Sequence, residues 1–438
     1  MKTKKFIAAR ESELKNGDTK KVKVDDVDIL LTKIDGEFYA VSPHCTHYGG
    51  PLHEGLLSGE RIICPWHHAA FDVKTGKMLE PPAIDNIPCY ETSVEDGKVF
   101  VTVNVDKHKT HEVPELKIPD PVKDDKIYVI IGSGAAANIA AQTLRQNGFD
   151  GRIVMISRDN RIPYDRPNLS KEYLQGEAEE EWMPLRSKEF YDKYKIELIL
   201  GKRVKNVDTL NNQIVYEGGG SIKYHKVLFA AGAEPVELDI EGKSLENVKT
   251  LRTYDDTDDI LNSLKPGMKI VNIGASFISL ETAYHLSQRG YDITVVAPEL
   301  VPFEKIFGVE VGTIFQELLE KNDIVFKLGK KPKKFTGEGK VETVELDNGE
   351  KIDADMVIVG VGVKPVTNLT GNIEPDKKGG YKVDKYMRLG DDDHYAAGDL
   401  ARFNFWYTGE DIRIEHWRTA HQQGIAAAHN MAGKKFEY

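Results

Sequence analysis

The stretches PHCTHYGGPL (residues 43–52) and CPWHHAAFD (64–72) decide how the first part of the chain is read. They place Cys45 and His47 as C-x-H and, after a gap of 16 residues (48–63), Cys64 and His67 as C-x-x-H. Two thiolates and two imidazoles in this order suit a [2Fe–2S] centre in which one iron takes the cysteines and the other the histidines. Zinc accepts the same donors, but its modules usually pair like with like, as C-x-x-C then H-x-x-H. Here the ligands are interleaved, with Pro65 and Trp66 inside the second pair, which favours the cluster over the single ion. The chain has only three cysteines, and two of them falling in this pattern makes chance remote.

Both stretches resemble the cluster loops of Rieske ferredoxins, which implies an electron-carrying domain. High-potential Rieske proteins add a cysteine after each ligand pair and join the two as a disulfide. Tyr48-Gly49-Gly50 and His68-Ala69-Ala70 stand there instead. No serine follows His67 to donate to a bridging sulfur, so the reduced cluster gains less stabilisation. The expected potential lies at the low end of the Rieske range, about −150 mV. His68 stands where relatives carry Gly or another small residue, and a positive φ there would strain it. Cys89, in the strand-like stretch IPCYETSV, reads as a small buried hydrophobe.

With 438 residues there is room for two to four domains. Hydrophobic content of 40% and charged content of 29% are those of an ordinary globular protein. A net charge of −11 argues against the basic surface that nonspecific nucleic-acid binding needs. No apolar run approaches the roughly 20 residues that span a bilayer. The stretch MKTKKFIAARESELKNGD has acids at 11 and 13 and no long apolar core, so it reads as the start of the Rieske domain rather than a cleavable leader. Cysteine usage fits a reducing compartment, with the cytoplasm as the expected location and mitochondrial association as the alternative.

Residues 1–105 read as short strands with turn punctuation. Asp35-Gly36 and Asp96-Gly97 each separate two strand-like runs as hairpin turns. Residues 106–123 are charged and hold Pro114, Pro119 and Pro121, which predicts a semi-extended linker poorly suited to packing. Beyond it strands alternate with helices, the pattern of parallel sheets. A strand, glycine loop, helix and strand occur at 127–157 and again at 269–297, predicting two dinucleotide-binding folds.

The first unit carries G-x-G-x-x-A at Gly132, Gly134 and Ala137. Gly132 permits the tight turn, Gly134 lets a pyrophosphate approach the backbone, and Ala137 lets helix and strand pack closely. The helix N-terminus favours the phosphates. Asp159, 22 residues past Ala137, is placed to bind a ribose hydroxyl. The next segment, IPYDRPNLSKEYL (162–174), resembles the flavin segment of oxygenase-coupled ferredoxin reductases and apoptosis-inducing factors. The resemblance implies FAD bordered by Arg166 and Pro167, with Lys171 near the flavin N5. A cation there stabilises negative charge on reduced flavin. VLFAAGAEP (227–235) resembles the turn leading out of the FAD domain. HYAAGDLARF (394–403) resembles the second FAD signature, implying that Asp399 binds the ribityl chain; a simple turn or N-cap is the plainer alternative. EHWRTAHQQGIAAAHNM (415–431) resembles the flavin-facing helix, with His416 and Trp417 at its start; an amphipathic core helix is the alternative.

The second unit departs from the family pattern. Glycines are expected at 274, 276 and 279, but the chain has Gly274, Ser276 and Ser279. Ser276 crowds the approach of the pyrophosphate, and Ser279 works against close helix–strand packing. Ala297 stands where relatives carry the ribose-binding Glu, which leaves Glu299 as the candidate acid. No arginine is placed to read a 2′-phosphate, so NADH and NADPH both stay open. Phe277 and Glu281 match the family. The resemblance implies that Glu281 faces the flavin and pairs with Lys171; a solvated helix residue is the alternative. VIVGVGVKPVTNL (357–369) resembles the crossing back to the FAD domain.

The whole order resembles the apoptosis-inducing-factor-like group (mitochondrion-associated type 3). It implies a multidomain chain: an all-β Rieske domain (1–105), the linker (106–123), then two α/β, Rossmann-like domains of the glutathione-reductase-like class. FAD would bind to 124–246 together with 366–438, and NAD(P)H to 247–365. Relatives continue into a C-terminal interface domain of roughly 80–120 residues, a common small-domain size. The sequence stops at Tyr438 before such a domain, which would leave one flavin face exposed; either this is a truncated form or a partner covers the site. The implied activity is an NAD(P)H-dependent flavoprotein oxidoreductase, passing electrons through FAD and the [2Fe–2S] cluster to an unidentified protein or small-molecule acceptor. A redox-sensing or apoptosis-related signalling protein with little turnover is the alternative, favoured by the altered second glycine loop. No C-x-x-C occurs, so disulfide reduction is not expected. The oligomeric state is left open.

Overall fold

Hydrophobic alternation in the first hundred residues builds a β-module. The computed structural model describes residues 3–104, 110–120 and 122–438. The first segment holds β1 (Thr3–Arg10), β2 (Thr19–Val24), β3 (Val27–Ile34), β4 (Glu37–Val41), β5 (Leu56–Ser58), β6 (Arg61–Ile63), β7 (Ala70–Asp72), β8 (Met78–Glu80), β9 (Cys89–Glu95) and β10 (Lys98–Asn104). Six strands form one sheet in the order β1-β10-β9-β4-β3-β2, and β5-β6-β7-β8 form a second. In β10 the period-2 residues Val99, Val101 and Val103 face the core of the six-stranded sheet. Both Asp-Gly turns have two central residues at positive φ (51° and 87°; 49° and 71°), the type I′ geometry that matches strand twist. The metal-type loops border the smaller sheet: the first connects β4 of the larger sheet to β5, and β6 and β7 flank the second.

Of the predicted linker, residues 106–109 and Pro121 lie outside the described residues. The rest packs better than its composition suggests. Leu116 is buried in the core beneath β11 (Ile127–Ile131), and Glu112 bridges back to Asn86. One apolar side chain among the prolines anchors the segment, which corrects the expectation of poor packing. Cys89 is a second correction. It opens β9 at the end of the strand and is exposed, its thiol donating to the Lys74 carbonyl (3.3 Å).

β11 is apolar on both faces, as a central parallel strand requires. It lies between β12 (Arg152–Ile156) and the strand Lys226–Phe229, with β13 (Ile196–Ile199) and the strand His394–Ala396 at the two edges. The returning segment therefore completes the first parallel sheet. A second five-stranded sheet joins Val248–Thr250, Met356–Val359, Lys269–Ile273, Asp292–Ala297 and Val325–Leu328 in that spatial order, all parallel. Among the described residues no helix is long and apolar enough to cross a membrane.

Candidate cluster and dinucleotide sites

Each metal-type loop closes on its own cysteine. The Cys45 N–H donates to the Gly50 carbonyl (2.9 Å) and the Gly49 N–H returns to the Cys45 carbonyl (2.9 Å). In the second loop the Cys64 N–H donates to the Ala69 carbonyl (2.8 Å) and the His68 N–H to the Cys64 carbonyl (3.1 Å). That turn sets His68 at φ 59°, the strained position foreseen for a non-glycine residue. The loops touch at Gly50, where a Cβ would lie 2.8 Å from Cys64 Sγ and 3.2 Å from the Trp66 ring.

Both cysteines are buried in the small-sheet core, and all three cysteines of the chain are free. The Cys64 thiol is lowered to about 6, chiefly by the hydrogen bond from Cys45, whose own thiol that bond and burial push up. His47 Nδ1 lies 3.2 Å from His67 Nδ1. Burial, then the neighbouring His67, pushes His47 down to about 4. Burial and then Lys171 lower His67. Both imidazoles are thus neutral with lone pairs to offer, as a metal requires. Among the described residues no three His, Cys, Asp or Glu side chains close on one point as a single ion would need. The donors form a thiol pair and an imidazole pair, which fits a two-iron cluster.

On the flavin side, Gly132 has φ 123°, and a Cβ there would lie 2.2 Å from the Ala230 carbonyl oxygen. Only glycine makes this turn. The helix α1 (Ala135–Gln146) starts at Gly134 with no capping side chain and no acid in its first turn, and a Cβ on Gly134 would meet only open space. Its free N–H groups fit a pyrophosphate. By contrast, the helix Tyr254–Ser263 is closed by a Thr253 capping box. Ala137 is fully buried where α1 meets the sheet. Asp159 accepts from Tyr164 Oη (2.9 Å) and Arg166 Nη2 (3.0 Å). Arg166 also donates to the Arg252 carbonyl (2.5 Å), and Arg252 Nη2 pairs with Asp399 Oδ2 (2.6 Å). The carbonyl of Pro167 accepts from Lys171 Nζ (3.3 Å). His416 caps the helix Trp417–Met431, its Nδ1 accepting from the Arg418 N–H (3.2 Å). Trp417 lies against His421, which is fully buried with neither ring nitrogen bonded to protein.

The second unit keeps its loop despite two serines. Gly274 turns at φ 113°. Ser279 fits because Gly360 faces it, and its buried hydroxyl donates to the Gly274 carbonyl (2.7 Å). The expected loss of closeness is therefore absorbed. Ser276 begins the helix Phe277–Gln288 without a side-chain cap. Phe277 is half exposed and tilts on Phe303 (4.9 Å). Glu299 is held by Lys305 (2.6 Å) rather than standing free. Glu281 meets Lys171 at 2.7 Å and accepts from Ser170 Oγ (2.6 Å). Neither Ser170 nor Arg252 was marked by any motif as a member of these networks.

The Rieske-type module is fixed to the flavin side by buried and partly buried polar contacts that sequence reasoning missed. Arg186 Nη2 lies 2.6 Å from Asp85 Oδ1 and donates to the Ile84 carbonyl (2.9 Å). Its guanidinium also donates to Gln142 Oε1 on α1 (3.0 and 3.1 Å). Glu80 accepts from Gln422 (2.9 Å) on the helix Trp417–Met431. Tyr48, beside ligand-type His47, donates to Asp165 in the flavin segment.

Family models match at two places: a Rieske [2Fe-2S] domain at residues 4–91 and a pyridine nucleotide-disulphide oxidoreductase at 126–424. The chain is 34% identical over 434 residues to apoptosis-inducing factor 3 of Homo sapiens, covering 97% of this chain and 71% of that protein. It is 31% identical over 306 residues to rubredoxin-NAD(+) reductase of Pseudomonas putida, covering 70% and 80%. A covalent putidaredoxin reductase–putidaredoxin complex has a similar fold, with a TM-score of 0.68 and 27% identity over 71% of this chain and 76% of that one.

Proposed function

The chain belongs to the pyridine nucleotide-disulphide oxidoreductase family and carries a Rieske [2Fe–2S] domain, and on that premise we propose that it takes electrons from NAD(P)H and delivers them through its flavin and cluster sites to an acceptor. One ion pair supports this most. Lys171 of the flavin segment meets Glu281 of the second nucleotide unit (2.7 Å) and lies close enough to His67 to lower its pKa. Elements of all three units converge there.

FAD supplies the exchange between a two-electron hydride and single electrons, and the cluster supplies a one-electron store. The protein binds and orients. The free N–H groups at the start of α1 hold the FAD pyrophosphate, and Asp159, aimed by Tyr164 and Arg166, holds the ribose. Arg252, paired with Asp399, would orient that carboxylate for the ribityl chain, and Arg166, Pro167, His416 and Trp417 would border the flavin. Lys171 would offer its side chain at the flavin edge, held in place by Glu281. Gly274, Ser276 and Phe277 receive the NAD(P)H, with Glu299 tied to Lys305 at the ribose end. Cys45 and Cys64 would hold one iron of the cluster and His47 and His67 the other.

The similar putidaredoxin complex joins a reductase of this fold to a second protein. Here the Rieske domain is part of the same chain. Cys64→Ser tests the order of the sites. The variant keeps NAD(P)H-driven flavin bleaching but loses the cluster's EPR signal and cytochrome c reduction. Cytochrome c reduction at the wild-type rate would contradict the order.

A further inference from the structure

Tyr48 follows the ligand-type His47 and is 40% exposed, so it is not a core residue. Its ring lies 4.1 Å from the His47 ring, tilted by 31°, and 6.0 Å from the His67 ring. Its hydroxyl leaves the Rieske module and donates to Asp165 Oδ2. Asp165 is 8% exposed, and its other oxygen is buried with no protein partner. The phenol is therefore the one side-chain donor to this carboxyl among the described contacts. The Asp165 backbone is fixed as well, its N–H donating to the Met183 carbonyl (2.7 Å). The next residue is Arg166, and the segment continues to Lys171.

We propose that Tyr48 is a positioning residue for electron transfer: its bond to Asp165 seats the histidine edge of the cluster on the flavin segment of the same chain. This rests on the relay proposed above and adds to it the contact that sets the distance between the two centres. A buried carboxyl with one donor holds that donor tightly, because losing it leaves the carboxyl unsatisfied. The ring carries the constraint directly to His47. The Arg186 and Glu80 contacts fasten the module elsewhere, so the Tyr48 bond governs local seating rather than attachment.

The test uses the full chain loaded with both cofactors. Tyr48→Phe keeps the ring on His47 and removes only the hydroxyl. After rapid anaerobic mixing with NADH or NADPH, flavin bleaching keeps its wild-type rate, while the later cluster bleaching slows by about tenfold, a scale typical of slight misplacement. Hydrogen exchange rises together in residues 44–50 and 163–168, a change visible without turnover. Asp165→Asn keeps an acceptor oxygen and near-wild-type cluster bleaching, whereas Asp165→Leu behaves as Tyr48→Phe does. Wild-type cluster bleaching and unchanged exchange in Tyr48→Phe would overturn the role of Tyr48 while leaving the relay intact. A wild-type protein whose flavin bleaches but whose cluster never does would overturn the relay, and this role with it.

Discussion

Arg186 holds the Rieske module against α1, and Arg186→Met should loosen it. The substitution keeps most of the aliphatic stem but deletes the guanidinium, whose Cζ lies over the Phe190 ring, 5.0 Å from its centre. Two acceptors then lose their donor, the Ile84 carbonyl and Gln142 Oε1, and the Asp85 carboxylate loses its counter-charge. The side chains of Arg186 and Asp85 are only 6% and 11% exposed, so solvent does not replace what is lost. Breaking a buried pair from one side costs about 3–5 kcal/mol. Asp85 Oδ1 lies near the guanidinium but off the line of an N–H bond, so it is held by charge rather than by a directed bond. The lower end of that range, about 3 kcal/mol, is expected. Equilibrium denaturation followed separately by cluster circular dichroism and flavin fluorescence reads this out. In the wild type the two signals fall together; in Arg186→Met the cluster signal falls first. A double-mutant cycle with Asp85→Asn should show coupling of about 2 kcal/mol. Coincident transitions, a loss below about 1 kcal/mol and additive effects would refute the clamp.

Glu281→Gln keeps a partner for Ser170 but leaves Lys171 without its counter-charge; stopped-flow flavin reduction by NAD(P)H should slow about tenfold, or about 1.4 kcal/mol in barrier, with thermal stability unchanged. Burial raises Asp165 to about 7, above its unfolded value. Between about pH 4 and pH 7 the folded state therefore holds a proton that the unfolded state has released, so this contribution to stability is full below pH 4 and fades as pH rises to 7. Denaturation curves across that window should show the decline, and Asp165→Asn should flatten it. Exposed Cys89 should react with a maleimide in the cluster-loaded protein, whereas Cys45 and Cys64 should react only after the iron is removed; mass spectrometry distinguishes these sites.

Features written in short spans of sequence were legible. The metal-type loops, the two Asp-Gly turns and the first glycine loop each depend on residues a few positions apart. What was not legible depends on distant neighbours. Ser279 looked unfavourable until Gly360 was found opposite it. Leu116 looked solvated among prolines, yet it is buried in the core around the first parallel sheet. Cys89 sits in a real strand, but at its exposed end. Tyr48 and Asp165 are 117 residues apart, and Arg186 and Asp85 are 101 apart, so no local pattern announces either contact. The Lys171–Glu281 pair was foreseen only because each residue belongs to a motif.

The most direct test of the central claim is an anaerobic optical titration of the cofactor-loaded protein with NADH and, separately, NADPH. The proposed relay predicts loss of the flavin band followed by loss of the cluster band with at least one of the two donors. Flavin and cluster bands that stay oxidised with both donors, or a cluster that stays oxidised beside fully reduced flavin, would contradict it.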